Sequence, residues 1–192
     1  MNGLTLTNRS AIDRNQTDFY ATPPEVTEAL LDFLEQSGRL YKGDLIWEPA
    51  CGDGRMADVM RYRKYRVIAT DLYPVDKLEP SADFLKSCHA GRWVITNPPF
   101  SQAEAFIRRA IVLKRPFAFL LKSQFWHSKS RLELFMGHKP AYVLPLTWRP
   151  DFLYGKKSGS PTMEVLWTVW DRCASAETRY VPLKRPEWRC EP

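Results

Sequence analysis

Leu45-Ile46-Trp47-Glu48-Pro49-Ala50-Cys51-Gly52-Asp53-Gly54 leads into a helix-like stretch from about 55 to 63 and then into Tyr65-Arg66-Val67-Ile68-Ala69-Thr70-Asp71. The opening apolar run reads as a short buried strand, the glycines as a tight turn and the second apolar run as another strand. Strand, turn, helix and strand in that order predict parallel strands in an α/β domain. Gly52 and Gly54 lack side chains and accept positive φ, so this turn lets a ligand approach the backbone closely. Asp71 ends the second strand a little over twenty residues after Glu48, a spacing that suits a carboxylate gripping ribose hydroxyls.

Downstream, the strand-like Trp93-Val94-Ile95-Thr96 runs into Asn97-Pro98-Pro99-Phe100. Asn and Pro are ordinary turn residues, and a rigid exit loop is one reading of these four positions. The other is chemical. An exocyclic amine on an aromatic ring is a poor nucleophile because its lone pair is delocalised. If the Asn97 side-chain oxygen and the Pro98 carbonyl each accept one amine N–H, the nitrogen is biased toward tetrahedral geometry and its lone pair is freed. Pro99 stiffens the turn, since proline has a fixed φ and no N–H. Phe100 then covers one face of the ring by stacking.

These blocks, with Asp18-Phe19-Tyr20-Ala21-Thr22-Pro23-Pro24 ahead of them and Asp83-Phe84 between them, resemble S-adenosylmethionine-dependent DNA N6-adenine methyltransferases of the small phage and prophage type. Their order is that of the family's gamma arrangement, and they span about half of the chain. The resemblance implies a class I, Rossmann-like fold: a mostly parallel seven-stranded sheet with an antiparallel last strand and helices on both faces. It implies that Asn97, Pro98, Pro99 and Phe100 are catalytic. Phe19, Tyr20 and Thr22 are expected around the methionine end of the cofactor, and Glu48 and the Gly52 backbone at its ammonium and carboxylate, with Pro49, Ala50 and Leu72 as further cofactor-binding positions. Asp71 is assigned to the ribose, Asp83 and Phe84 to the cofactor's adenine, with Asn97 bordering the same pocket. For Asp83-Phe84 a plain helix start after Pro80-Ser81 is the competing explanation.

The chain has 192 residues and a formal net charge of +6. That length suits one domain with a single core and two helical layers. No apolar run is long enough to cross a membrane and the N-terminus lacks a secretory apolar stretch, so a cytoplasmic bacterial or phage-infected host setting is expected. Cys51, Cys88, Cys173 and Cys190 form no Cys-x-x-Cys pair, and no metal site is expected. No cysteine lies in the Asn97 turn. Methylation at cytosine carbon 5 needs a thiolate, whereas methylation of an exocyclic amine needs no covalent intermediate.

Residues 1–16 are expected to form a flexible arm, 17–170 one methyltransferase domain and 171–192 a loosely attached tail. Val26, Leu30, Leu31 and Leu34 predict a helix after Pro23-Pro24, and Ala103, Phe106, Ile107, Ala110 and Ile111 another after Phe100. Further strands are expected at 117–121, 141–146 and 163–170. The basic surplus suits a phosphate backbone, with DNA as the expected partner and RNA not excluded. Lys122, Trp126, Lys129, Arg131, Arg149, Lys156 and Lys157 are the candidates for that contact. Trp126 either stacks on a base or caps the core, and 147–161 is expected to be a mobile substrate loop. No segment is large enough for a separate target-recognition domain, and the oligomeric state is left open. Methylation of an RNA base, a cytosine 4-amino group or a protein glutamine remains an alternative, as does an idle fold that only binds nucleic acid.

Overall fold

The computed structural model describes residues 20–74, 80–152, 163–171 and 177–187. The expected N-terminal arm, Phe19, Lys156, Lys157 and most of the expected substrate loop lie outside them. Among the described residues four α-helices, α1 (Pro24–Gln36), α2 (Arg55–Tyr62), α3 (Ala103–Leu113) and α4 (Leu132–Gly137), accompany seven strands. These are β1 (Leu45–Glu48), β2 (Arg66–Ala69), β3 (Trp93–Thr96), β4 (Phe117–Lys122), β5 (Tyr142–Pro145), β6 (Val165–Trp170) and β7 (Arg179–Tyr180). They make one sheet in the order β2-β1-β3-β4-β6-β5-β7.

Strand alternation builds a core on each face of the sheet. Ile46, Trp93, Ile95, Ala118, Leu120 and Trp167 point to one side, where they pack with Val26, Leu30, Leu31 and Leu34 of α1 and Met56, Val59 and Met60 of α2. Their neighbours Trp47, Val94, Phe117, Phe119 and Leu121 point to the other side, against Ala103, Phe106, Ile107 and Ala110 of α3 and Leu134 of α4. The central strands read as continuous apolar runs because both of their faces are covered. Pro24 opens α1, where a missing N–H costs nothing.

β1, β2, β3 and β4 are mutually parallel, and β6 runs antiparallel to β4 and β5. The antiparallel strand is thus the expected 163–170 segment, but it is not the last one. β7 follows and pairs parallel with β5 at the sheet edge. The expected loose tail is corrected accordingly over 177–187. Val181 and Leu183 donate backbone N–H groups to Val143 and Pro145, Leu183 is buried, and Arg185 pairs with Glu25 of α1. A two-residue strand carries too little periodicity to be read from sequence, and its flanking prolines and charges disguise it. The same holds for α4, a six-residue helix with one buried side chain.

The chain leaves β1 toward β2 on one side and enters β3 on the other, so the carboxyl ends of β1 and β3 flank a topological switch point, where open α/β sheets bind ligands. Glu48 ends β1 and Asn97 directly follows β3. Among the described residues no helix is long and apolar enough to cross a membrane.

Candidate active site

A cavity of about 490 Å³ opens at this switch point. Its walls include Tyr20 and Thr22, the run from Glu48 to Asp53, Asp71, Leu72, Asp83, Phe84 and the run from Asn97 to Gln102. All the expected cofactor positions within the described residues therefore meet in one space with the Asn-Pro-Pro-Phe turn.

Backbone geometry explains the first wall. Gly52 and Gly54 take φ of 56° and 82°, conformations that side-chain-bearing residues rarely adopt. The Gly54 N–H closes the turn on the Cys51 carbonyl, and the Cys51 N–H is held by Thr70 of the neighbouring chain segment. Asp71 braces the same turn by accepting the Gly52 N–H through Oδ2 at 2.8 Å, while Oδ1 accepts the Tyr73 N–H at 2.8 Å.

Glu48 is 1% exposed, and its Oε2 has no hydrogen-bond partner. Burial pushes its carboxyl well above the ordinary range; Arg61 opposes the shift, and Asp53, Asp58 and Asp71 reinforce it. A buried carboxylate oxygen without a partner is costly unless a cation or donor completes it. Asp83 anchors a turn rather than a helix: its Oδ1 accepts the Leu85 N–H and its carbonyl accepts those of Lys86 and Ser87. Phe84 behind it is buried between Trp47 and Phe106, with ring centroids 5.1 and 4.7 Å away.

On the opposite wall, Asn97 donates from Nδ2 to Thr22 Oγ1 at 3.0 Å and to the Tyr20 carbonyl at 3.3 Å. Its Oδ1 is buried without a partner. The Gln102 N–H closes the proline turn on the Pro99 carbonyl. Phe100 packs 5.5 Å from the Tyr20 ring, and the Lys122 ammonium lies 4.2 Å from the Phe100 centroid.

The expected nucleic-acid contacts divide. Lys122 is beside the site, and Lys129 is exposed. Arg131 is engaged within the fold: it pairs with Glu104, donates to the Phe125 carbonyl at 3.0 Å and lies over the Phe125 ring. Trp126 stacks on Phe135 at 4.4 Å with the planes 12° apart. Arg149 pairs with Glu164 at 3.2 Å on the surface. Met56 and Phe106 also line the cavity and were not anticipated. Met56 sits in the first turn of α2 directly after the glycine turn, a position from which its role is readable; Phe106 looks from sequence like any inward α3 residue. Among the described residues no group of three or more metal-ligating side chains is present.

No protein-family model and no curated protein matches the sequence. Solved structures do match in fold. A Listeria monocytogenes protein assigned as a class I S-adenosylmethionine-dependent methyltransferase superposes with a TM-score of 0.59 over 88% of this chain and 67% of its own, at 16% identity. The type I restriction-modification methyltransferase subunit of Streptococcus thermophilus gives 0.61 over 85% of this chain and 47% of its own, at 12% identity. A dimethyladenosine transferase from Plasmodium falciparum gives 0.56 over 79% and 63%, at 13% identity. The chain thus spans from about half to two thirds of the length of these proteins. It shares the class I methyltransferase fold.

Proposed function

We propose that the protein transfers a methyl group from S-adenosylmethionine to the 6-amino group of an adenine in DNA, presented outside the base stack. The observation that carries this reading is the side-chain oxygen of Asn97. It is buried and unpartnered, and Asn97 lines the same cavity as Glu48, whose carboxyl oxygen Oε2 is likewise buried without a partner.

The residues present fit the cofactor. Glu48 Oε2 is an acceptor for its ammonium, the Asp71 carboxylate for its ribose hydroxyls and Asp83 for its adenine amine, with Phe84 behind the ring. When bound, S-adenosylmethionine supplies an electrophilic methyl group on a sulfonium. Asn97 Oδ1 and the Pro98 carbonyl accept the two N–H bonds of the target amine and draw its lone pair out of the ring. Phe100 stacks on the base and keeps water from one face. Because Asn97 is a neutral amide and a poor base, the proton that the methylated nitrogen sheds passes to solvent.

The class I fold shared with a restriction-modification methyltransferase subunit supports a DNA acceptor, as does the net charge of +6. The likeness to a dimethyladenosine transferase favours adenine in RNA as a second reading. Incubation with labelled methyl donor and separate DNA, RNA and protein acceptors, followed by nucleoside analysis, decides between them. Label in N6-methyladenine from DNA is expected; label only in RNA or protein rejects the DNA assignment.

A further inference from the structure

We infer that Thr22 and the Tyr20 carbonyl form a lock that fixes which end of the Asn97 amide faces the target, making Thr22 a positioning residue for the transfer. This role presupposes the planar-amine acceptor proposed above. An asparagine amide has two nearly isosteric ends, one donating and one accepting. Rotated by half a turn, it would present its NH2 to the target NH2, donor against donor, and the pull on the amine's lone pair would be lost.

The surroundings of Asn97 decide the orientation. Nδ2 faces two oxygens, Thr22 Oγ1 at 3.0 Å and the Tyr20 carbonyl at 3.3 Å. A backbone carbonyl only accepts, so whatever faces it must donate; the NH2 end is thereby turned toward residues 20–22, and Oδ1 is left on the other branch of the amide, buried and without a partner in a residue that lines the cavity. Thr22 is 5% exposed and precedes Pro23 and the start of α1, so its hydroxyl is held in place by both burial and backbone. The segment in front of α1 therefore sets the chemical polarity of a side chain 75 residues further along the chain.

The lock also explains the choice of an amide over a carboxylate at this position. A carboxylate at 97 would set a charged oxygen against the Tyr20 carbonyl. Only its protonated form has a hydroxyl to donate there.

Three measurements on the full chain test this. In Thr22→Val, kcat at saturating cofactor is expected to fall about tenfold to a hundredfold, the cost of a lost orienting hydrogen bond; Thr22→Ser is expected to restore the rate. Asn97→Asp is expected to be slow near neutrality and to recover as the pH falls and its carboxyl protonates. Independently of any acceptor, the Asn97 side-chain NH2 resonances are expected to be protected from solvent exchange in the wild type and Thr22→Ser, and to lose protection in Thr22→Val. Wild-type protection or kcat in Thr22→Val, equal loss in the Val and Ser variants, or a loss confined to cofactor affinity would overturn the lock. An inactive wild type in which the exchange pattern holds would instead count against the proposed methyl transfer, so the two failures are distinguishable.

Discussion

The Gly52 backbone N–H donates to Oδ2 of Asp71 at 2.8 Å, so the carboxylate just past β2 holds the glycine turn just past β1. Its other oxygen is fixed by the Tyr73 N–H. One side chain thereby joins the two strand ends and presents its remaining lone pairs to the cavity. Hydrogen bonds from backbone N–H groups to a carboxylate are charge-assisted and stronger than neutral ones.

Replacing Asp71 with Asn puts an NH2 against one of those two N–H groups. Stability is expected to fall by about 1–3 kcal/mol, the cost of leaving a partly buried donor unmatched. If Asp71 is the proposed ribose acceptor, cofactor affinity is expected to fall at least about tenfold. Thermal unfolding and equilibrium binding read the two effects separately. A lower melting temperature with unchanged affinity would confine Asp71 to the bracing role.

Glu48 predicts a pH dependence. Burial raises its carboxyl pKa in the ligand-free protein, so over the window just above the ordinary carboxylate range the folded chain holds a proton that the unfolded chain has released. Stability from this group therefore declines as pH rises through that window. An ammonium placed beside it favours the ionised form, so cofactor binding expels the proton and affinity strengthens with pH. Measured between about pH 5 and 7, below the titration of the ligand's own α-amino group, the cofactor Kd should tighten in the wild type. Glu48→Gln should bind more weakly and show a flat profile.

Asn97→Ala is expected to lower turnover by at least about a hundredfold, in line with the loss of a preorganised polar group that acts on the transition state. Cofactor binding should stay nearly intact, because Glu48 and Asp71 belong to other segments, at the end of β1 and just past β2. Single-turnover kinetics beside calorimetric binding make the comparison. Retained turnover would remove Asn97 from the mechanism.

Much of this site was legible in the sequence because its parts sit at strand ends, where a buried apolar run stops and a polar or glycine residue follows. Glu48, Asp71 and Asn97 each obey that rule, and the topology brings the three ends together. What sequence did not carry is pairing: nothing in the spacing says that Asp71 holds Gly52, that Thr22 holds Asn97 or that Arg131 folds back onto Phe125. Such contacts join segments with no shared periodicity. β7 escaped for a different reason, since it is held by pairing to β5 rather than by an apolar pattern of its own.

Arg131 and Lys129 are neighbours in the basic run with opposite expected roles. Arg131 pairs with Glu104 at 3.4 Å and covers Phe125, so Arg131→Ala should lower the melting temperature with little change in the salt dependence of DNA binding. Lys129 is exposed. If it meets a phosphate, Lys129→Ala should leave stability unchanged and reduce the slope of log affinity against log salt by about 0.9. Binding titrations at several salt concentrations, with melting curves for both variants, separate the two.

Arg63, just past the end of α2, reaches three carboxylates of α1 that lie on one helical face: Glu28, Asp32 at 2.9 Å and Glu35 at 2.8 Å. Tyr65 also donates to Glu35. Arg63→Ala would leave Glu28 and Asp32 without this counter-charge and Glu35 with Lys42 alone, and a loss of about 2–3 kcal/mol is expected, discounted for the partial exposure of Asp32. Although burial raises the Glu35 carboxyl, hydrogen bonds from Lys42, Tyr65 and Arg63 outweigh it and hold the group below its ordinary range. A depressed carboxylate stabilises the fold above its unfolded pKa, and that contribution is lost as pH falls through the folded value. Removal of Arg63 takes away part of that depression. The stability gap between wild type and variant should therefore be full near neutrality and narrow below about pH 4 in denaturant titrations; a gap constant with pH would mean that Arg63 stabilises the helix pair through packing rather than charge.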